Sequence, residues 1–517
     1  MTDDSKALIP QATTPPGPAV QGFHPAETGG IHSNAYNFLS AVNTGVDPRT
    51  GMYSCTVSLP GVAANKLCGP TVGLGLGFSA LDAVDAGFGI GWSLASTRYD
   101  TRRKRLSLSS GESFRVDTFV NDRATFKDRK LRTFDLIREG FDGDYRIVHK
   151  SGMSERLRTD AGSDGVAVLR EVRSPEGDAV TLEQGATNGI VKLRKVIDGA
   201  GRVLLAVDYD QDGATVVRLH PETAQAAAFS FRFTNGRLSE LALPDGYGDG
   251  WLFGYEATAT GLLLLTHTTP PTGGREEVVY QQDGHALPGN GNQPLSHMPV
   301  VVAWRRDPGH GQPVMETRYT YSTRNYFGHG ALANWLDDED NLYRLVMPEG
   351  QRYEYSSTET QYDGIQAVRT VERTFNRFHL LTRERASQAG CVTETVTVYD
   401  EDPSISFASQ VPWCQLPVEV RTRYYREDEP GRVREDVEAR GYDDDGNCIV
   451  HTDPTGAREY FSYYLASGDG DDCPADPLGF VRCLKEKRLQ PPAGTEGGIK
   501  VTRYAYEVIP ALDGQGP

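Results

Sequence analysis

Methionine and tryptophan are scarce in this 517-residue chain, at 6 and 5, and only 38% of the residues are hydrophobic. The longest apolar run, Gly261 to Leu265, falls far short of the roughly 20 residues of a membrane span, so none is expected. The first twenty residues hold early acidic side chains and several prolines, without the apolar stretch of a Sec signal peptide. Seven cysteines are present, an odd number, widely spaced and with no C-x-x-C pair. That excludes a zinc ribbon and fits a protein made in a reducing cytoplasm. Cys473 and Cys483 are near enough in sequence to meet across a loop; two small half-buried residues are the simpler reading.

Other chemistry is missing as well. No His-Glu-x-x-His and no Gly-x-Ser-x-Gly occurs, so neither a zinc hydrolase nor a nucleophile elbow is indicated. Gly73-x-Gly75-x-Gly77 and Gly87-x-Gly89-x-Gly91 lack the third glycine of a dinucleotide loop. They read instead as close strand packing beside Phe78, Phe88 and Trp92. Asp208-x-Asp210-x-Asp212-Gly213 begins like a calcium loop, but its twelfth position is Leu219 rather than Glu. A polar hairpin turn is the expectation there, and solvated turns at Asp443–Gly446 and Asp469–Asp472. Nothing among the 70 acidic residues selects a catalytic pair. Of the 11 dispersed histidines, His329, between two glycines, stands out for inspection. No catalytic, cofactor or metal residue is assigned. The net charge of −17 argues against nucleic acid as partner, and the short run Arg102–Arg105 reads as a solvated strand edge.

What is present points to β structure. Glycine (56) and proline (30) make up about one residue in six, above the roughly 12% of average chains. Tyrosine, at 24, supplies half of the aromatics. Tyr53, Cys55, Val57 and Leu59 alternate with polar residues as in a half-buried strand. Leu106, Leu108 and Phe114 flank the turn Ser109-Ser110-Gly111-Glu112, a hairpin signal. Helical stretches are expected only at Ser79–Ala86 and Ala331–Asp338.

A degenerate repeat runs through the chain. Gly236-Arg237-Leu238 leads through Leu241 and Leu243 to Pro244. Asp340-Asn341-Leu342 leads through Leu345 and Met347 to Pro348, and Gly446 through Cys448 to Pro454. A turn glycine follows, then aromatics at odd offsets: Phe253 and Tyr255 after Gly250, Tyr353 and Tyr355 after Gly350, Phe461 and Tyr463 after Gly456. A looser copy is Pro175-Glu176-Gly177 with Val180 and Leu182. Odd offsets place these side chains on one face of a strand. Stacked hairpins then bury a stripe that one hairpin alone does not.

The unit, with the dipeptides Tyr209-Asp210, Tyr362-Asp363, Tyr399-Asp400 and Tyr442-Asp443, resembles the tyrosine-aspartate (YD) repeat of Rhs proteins. The opening block also resembles that of Rhs and Tc-toxin B/C shell proteins. It includes Asn37-Phe38, Gly51-Met52-Tyr53, Leu59-Pro60, Gly69-Pro70, Gly87 to Trp92 and Ser110-Gly111-Glu112. Asn325-Tyr326-Phe327-Gly328 is similar to a short motif of the same shells.

The resemblance implies an all-β fold of stacked antiparallel hairpins in a curved, spiralling sheet, part of a hollow shell around a toxin. It divides the chain into a flexible leader at 1–35, an Rhs-type β region at 36–120 and degenerate YD repeats at 121–517. Nothing near Val508 to Pro517 matches the family's self-cleavage core, so the resemblance leaves three expectations open: the first part of a longer shell, a fragment, or a degenerate shortened member. The implied partners are a toxin polypeptide or the rest of the shell, and a secretion machine or insecticidal toxin complex. No enzymatic activity and no cofactor is expected, and export is expected to bypass the Sec route. The competing expectation is an extracellular carbohydrate- or surface-binding module; it requires Tyr353, Tyr355, Phe461 and Tyr463 to be solvent-accessible.

Overall fold

A computed structural model describes residues 42–508, apart from 65–68, 73–74, 141–142, 161, 188–189, 212, 245–249, 290, 292, 337–339 and 496. The expected leader lies outside the described residues, as do Asn37-Phe38, Cys68, Gly73 and Asp212. Strands dominate. A small sheet opens the chain, built from β1 (Val42–Val46), β2 (Tyr53–Ser58), β5 (Gly75–Phe78) and β6 (Trp92–Leu94), with β3 (Val62–Ala63) and β4 (Thr71–Val72) pairing beside it. Tyr53, Cys55 and Val57 are buried on one face of β2, as their alternation requires.

Twenty-nine strands belong to a second, antiparallel sheet that closes on itself. Its first eight form the ring: β7 (Arg98–Asp100), β8 (Arg105–Ser107), β9 (Ser113–Val120), β10 (Arg123–Phe126), β11 (Phe134–Glu139), β12 (Asp144–His149), β13 (Ser154–Thr159) and β14 (Val166–Arg173). The hairpin expected around Ser109–Glu112 joins β8 to β9, with Leu108 N–H donating to Glu112 O at 2.9 Å. The turn at Asn121–Asp122 joins β9 to β10, which pair directly.

Closure comes from β14, whose Val166–Val168 pair with Arg98–Asp100 of β7. The same edge of β14 then takes a third partner, because Glu171–Arg173 pair with Ala179–Thr181 of β15 (Ala179–Thr187). Where β7 and β15 diverge, side chains fill the ladder. Gln184 Nε2 donates to Leu169 O at 2.5 Å and Arg170 Nη1 to Gln184 O at 3.2 Å. From this branch the sheet continues as one meander to β35 (Lys500–Arg503). No register joins β35 to β7 among the described residues.

The core is uneven along the chain. One hydrophobic cluster runs from Val42 to Tyr319 and takes in the small sheet, the ring and the strands up to β25 (Met315–Tyr321). Beyond it lie two small clusters, one around Leu342, Tyr353 and Phe375 and one around Phe378, Phe407 and Cys414. From β26 (Glu354–Asp363) onward most strand residues are half-buried or exposed on both faces. Cross-strand charge supports this single layer: Arg373 meets Glu359 at 3.0 Å and Glu384 at 2.7 Å, Arg383 meets Glu394 at 2.7 Å, and Arg423 meets Glu435 at 2.7 Å. Such pairs contribute about 0.2–1 kcal/mol each.

Of the described glycines read as close-packing, Gly75 and Gly77 are not, since a Cβ there would meet nothing within 4 Å, whereas the second run is. Gly87, Gly89 and Gly91 have φ of +102°, +92° and +87°. A Cβ there would sit 2.3 Å from the Tyr209 ring, 2.6 Å from Leu238 N and 2.6 Å from the Phe78 ring. Ile90 N–H donates to Gly236 O at 2.9 Å, so this segment docks on a repeat hairpin.

Three further expectations are corrected. Ser79–Ala86 is not helical, because side chains take its backbone donors: Ser79 accepts from Leu81 N–H, and Asp82 from Val84 N–H. Ala331–Leu336 is likewise not a helix; a single turn ends at Leu332, whose N–H donates to Gly328 O, and Asn341 Oδ1 then accepts from Leu336 N–H. The repeat copy at Asp340–Pro348 forms no strand. Asp340 caps a 3-10 turn over Asn341–Arg344 by accepting from Leu342 N–H at 3.1 Å.

The repeated tyrosines have a further role. Seven hydroxyls, on Tyr209, Tyr280, Tyr321, Tyr399, Tyr442, Tyr463 and Tyr506, donate to backbone carbonyls of a neighbouring strand at 2.8–3.3 Å. Their acceptors are Leu193, Leu265, Val301, Leu381, Pro417, Cys448 and Leu484. Each acceptor precedes a residue skipped in the register, a β-bulge at Arg194, Thr266, Val302, Thr382, Val418, Ile449 or Lys485. Tyr280, Tyr399, Tyr442 and Tyr463 also sit opposite the bulge of the following strand. Three of the four Tyr-Asp dipeptides supply such a cap; Tyr362 instead lies under the Arg318 guanidinium at 4.3 Å.

Candidate functional site

The far part of the ribbon returns to the ring and is held there by cations meeting backbone oxygens. Lys130 Nζ donates to Ala408 O at 2.8 Å and Gln410 O at 2.7 Å. Arg132 donates to Leu478 O at 2.5 Å and Gly479 O at 2.9 Å, with its guanidinium 4.5 Å from the Phe480 ring. Arg123 reaches Leu478 O at 3.3 Å, and Lys150 reaches Asp445 O at 2.9 Å and Asn447 Oδ1 at 2.6 Å. In return Arg482 donates to Lys150 O at 3.0 Å. Buried Asp135 orients the donors, 2.7 Å from Arg132 and 3.1 Å from Arg123. Its hydrogen bond raises the Arg132 pKa, while burial lowers those of Lys130 and Lys150. Hydrogen bonds to charged groups contribute about 1.5–3 kcal/mol each, so this seam fastens segments about 300 residues apart.

Two concavities lie on other parts of the ring. A cleft of about 810 Å³ opens at the branch of β14, lined with charged residues including Glu139, Arg156, Arg170 and Glu183. A cavity of about 500 Å³ lies between the β8–β9 hairpin and the segment Tyr326–Tyr343, with Phe327, Trp335, Asp340 and His379 in its wall. There His379 Nε2 is 2.8 Å from Asp340 Oδ2 and His379 Nδ1 is 2.9 Å from Tyr355 Oη. Both ring nitrogens are engaged, so neither faces the cavity as a free base. Nearby, Arg377 is buried against Glu401 at 2.7 Å and donates to the carbonyls of Leu345, Asp402 (2.9 Å) and Ile405 (3.0 Å).

The residues singled out in the sequence are scattered. His329 lies outside this cavity wall; its carbonyl accepts from Tyr353 Oη at 3.0 Å. Asp208 is paired with Arg218 in the β17–β18 hairpin, Val203–Gln211 with Ala214–Leu219. Asp443 caps its own turn by accepting from Asp445 and Asn447 N–H. Asp469 pairs with Lys485 at 2.5 Å. Arg102 and Arg103 sit in the exposed β7–β8 turn beside Asp164 and Asp100. Among the described residues no three His, Cys, Asp or Glu converge as a metal set, and no helix is long and apolar enough to cross a membrane. Tyr353 and Tyr355 are buried, 2% and 3% exposed, and Phe461 and Tyr463 half-buried. The seam and His379 were missed because their partners are remote in sequence and carry no local motif.

No family model and no curated protein matches the chain. Among solved structures it is similar to TcdB2-TccC3 without its hypervariable C-terminal region, at 10% identity and a TM-score of 0.31. That likeness covers 88% of this chain and 36% of the other. TcdB2-TccC3 itself gives 9% identity, 92% and 38% coverage and a TM-score of 0.30. The N-terminal domain of effector protein SpvB from Salmonella typhimurium gives 13% identity, 87% and 99% coverage and a TM-score of 0.10. This chain spans about a third of the length of the TcdB2-TccC3 chains it matches. Likenesses this slight carry no argument about function.

Proposed function

We propose that the chain is an Rhs/YD-type shell segment that helps to enclose and deliver a toxin polypeptide and is not itself a catalyst. The observation that carries this reading is the ribbon beyond β25. Most of its strand residues are half-buried or exposed, its buried apolar side chains are confined largely to two small clusters, and it is fastened back to the closed ring by the Lys130–Arg132–Lys150 seam. Such a layer serves as a wall, since its faces bury no core beyond these small clusters. Its partners are the enclosed polypeptide and the remainder of the shell, and its route out of the cell is a specialised secretion machine or toxin complex. The test is co-expression with the polypeptide encoded beside it. That polypeptide should co-purify, resist protease and become cleavable once the seam is opened by Arg132→Ala and Lys150→Ala together. Digestion at the rate of the isolated polypeptide refutes enclosure.

A second reading, a carbohydrate-binding module, draws on the aromatic wall formed by Phe327, Trp335 and Tyr343. Buried Tyr353 and Tyr355 remove two of the four stacking platforms it required. Titration with oligosaccharides while following tryptophan fluorescence decides it; no saturable change in the wild type, or one that persists in Trp335→Ala, rejects it.

A further inference from the structure

We infer that Lys150 and Asn447 form an isopeptide cross-link, an amide bond between their side chains made with loss of ammonia, that fastens the seam covalently. Lys150 Nζ donates to Asn447 Oδ1 at 2.6 Å. A carbonyl bond is about 1.23 Å long, so Nζ lies no more than about 3.8 Å from Asn447 Cγ. That approaches the roughly 3–3.5 Å at which bound groups react. The third member of the set is Asp443, whose Oδ2 accepts from Asn447 Nδ2 at 3.0 Å. An amine, a carboxamide and a carboxylate on the leaving nitrogen are the groups that amide transfer requires.

The backbone fixes both partners. Lys150 N–H donates to Thr133 O at 2.7 Å, and Lys150 O accepts from Arg482 Nη1 at 3.0 Å. Asn447 closes a tight turn: Asp443 N–H donates to Asn447 O and Gly446 N–H to Asp443 O, both at 3.0 Å, while Asp443 Oδ1 accepts from Asn447 N–H at 2.8 Å. That turn packs on Leu131, whose side chain would lie 2.8 Å from a Cβ at Gly446. The other seam lysine, Lys130, donates to the backbone carbonyls of Ala408 and Gln410 instead and serves as an internal control.

The neutral Lys150 amine attacks Asn447 Cγ, and a C–N bond forms as the carbonyl electron pair moves onto Oδ1. Both nitrogens are then on one carbon, so the Asp443 carboxylate beside Nδ2 also reaches Nζ. It takes one proton from Nζ and passes it to Nδ2. The carbonyl re-forms, the Cγ–Nδ2 bond breaks and ammonia leaves, with no oxidant or co-reactant. Burial lowers the Lys150 pKa against the opposing pull of Asp445 and Asp443, which enlarges the share of neutral amine. The product joins residues 297 apart in sequence. Such a bond constrains the unfolded chain as a disulfide does, yet withstands a reducing compartment.

This inference rests on the seam's geometry and stands apart from the enclosure of a toxin. The test is the mass of the purified full chain, unfolded and reduced, with tryptic mapping before and after incubation at mildly alkaline pH. The expected result is a mass one ammonia below that of the sequence. Lys150 and Asn447 should then share one branched peptide that survives dithiothreitol, with no cleavage after Lys150. Lys150→Arg, which keeps the charge and the donors, should retain the full mass while folding normally. Asp443→Asn, which keeps an oxygen for the turn, should slow conversion about 100-fold or more; a merely structural role would leave the rate unchanged. The inference is overturned if the Lys150 and Asn447 peptides stay separate after incubation, if ammonia is lost within the Asn447 peptide alone as a succinimide, if Lys130 is linked in place of Lys150, or if Asp443→Asn converts at the wild-type rate.

Discussion

Replacing Tyr280 with Phe keeps the ring and removes only the hydroxyl that caps the Leu265 carbonyl at 2.9 Å. Leu265 is fully buried, at 0% exposure, so water does not replace the lost donor. A buried polar group left unsatisfied costs about 1–3 kcal/mol. Burial also raises the Tyr280 pKa well above its ordinary value, so the hydroxyl is a donor at every working pH. The matched change, Tyr442→Phe, uncaps Pro417 in the single-layer region, where the carbonyl's residue is half-buried and water has access. Its cost should be only about 0.5 kcal/mol. Native-state amide exchange read by mass spectrometry separates the two, since each 1.4 kcal/mol is tenfold in an opening equilibrium. Exchange in the strands Leu263–Thr269 and Arg275–Ala286 should quicken about 5- to 150-fold in Tyr280→Phe. In Tyr442→Phe the strands around Pro417 should change about twofold. Changes below twofold at both sites would refute the capping role, because the ring alone would then account for tyrosine.

Other perturbations probe separate parts of the molecule. Arg377→Met leaves Glu401, 4% exposed, as an unpaired buried charge and should cost about 3–5 kcal/mol; pairing it with Glu401→Gln should recover part of the loss in thermal unfolding. His285, buried against Tyr321 and Tyr326, has its pKa lowered by burial from 6.5 to about 4. The unfolded chain therefore binds the proton first. The contribution is fully present above pH 6.5 and fades towards pH 4, about 3 kcal/mol in all; His285→Gln should flatten that slope in unfolding midpoints. Gly89→Ala imposes a side chain at φ +92° and 2.6 Å from Leu238 N, so exchange over residues 79–92 should rise by the equivalent of about 1–3 kcal/mol. Gly140→Ala, with open space around its Cβ, is the control that should lack the steric part.

The β architecture was legible because turn residues and odd-spaced aromatics repeat locally, and local period is what a strand prints on sequence. Gly87, Gly89 and Gly91 were legible for the same reason, beside Phe78 and Trp92. Where one polar side chain competed with the backbone, the pattern misled: Asp340 accepts from Leu342 N–H and turns a strand-like copy into a 3-10 turn. Bulges were invisible, since Thr266 or Val302 skips register only in the presence of the neighbouring strand. The seam and the Arg377–Glu401 pair join residues brought together by the whole path of the ribbon. No spacing rule reaches that far.

The branch at β14 has a consequence for how such a molecule grows. A closed ring of strands has no edge and so ends a sheet. By lending half an edge to β7 and half to β15, β14 acts as a screw dislocation does in a crystal, keeping one growth step permanently open. Up to β25 the added strands share the large core, but beyond it each further strand is supported chiefly by its neighbours and by two small clusters, so no larger core is needed there. The surface-to-volume limit that caps globular domains therefore does not set the length of this ribbon, and hairpins are gained or lost at nearly constant energetic cost per strand.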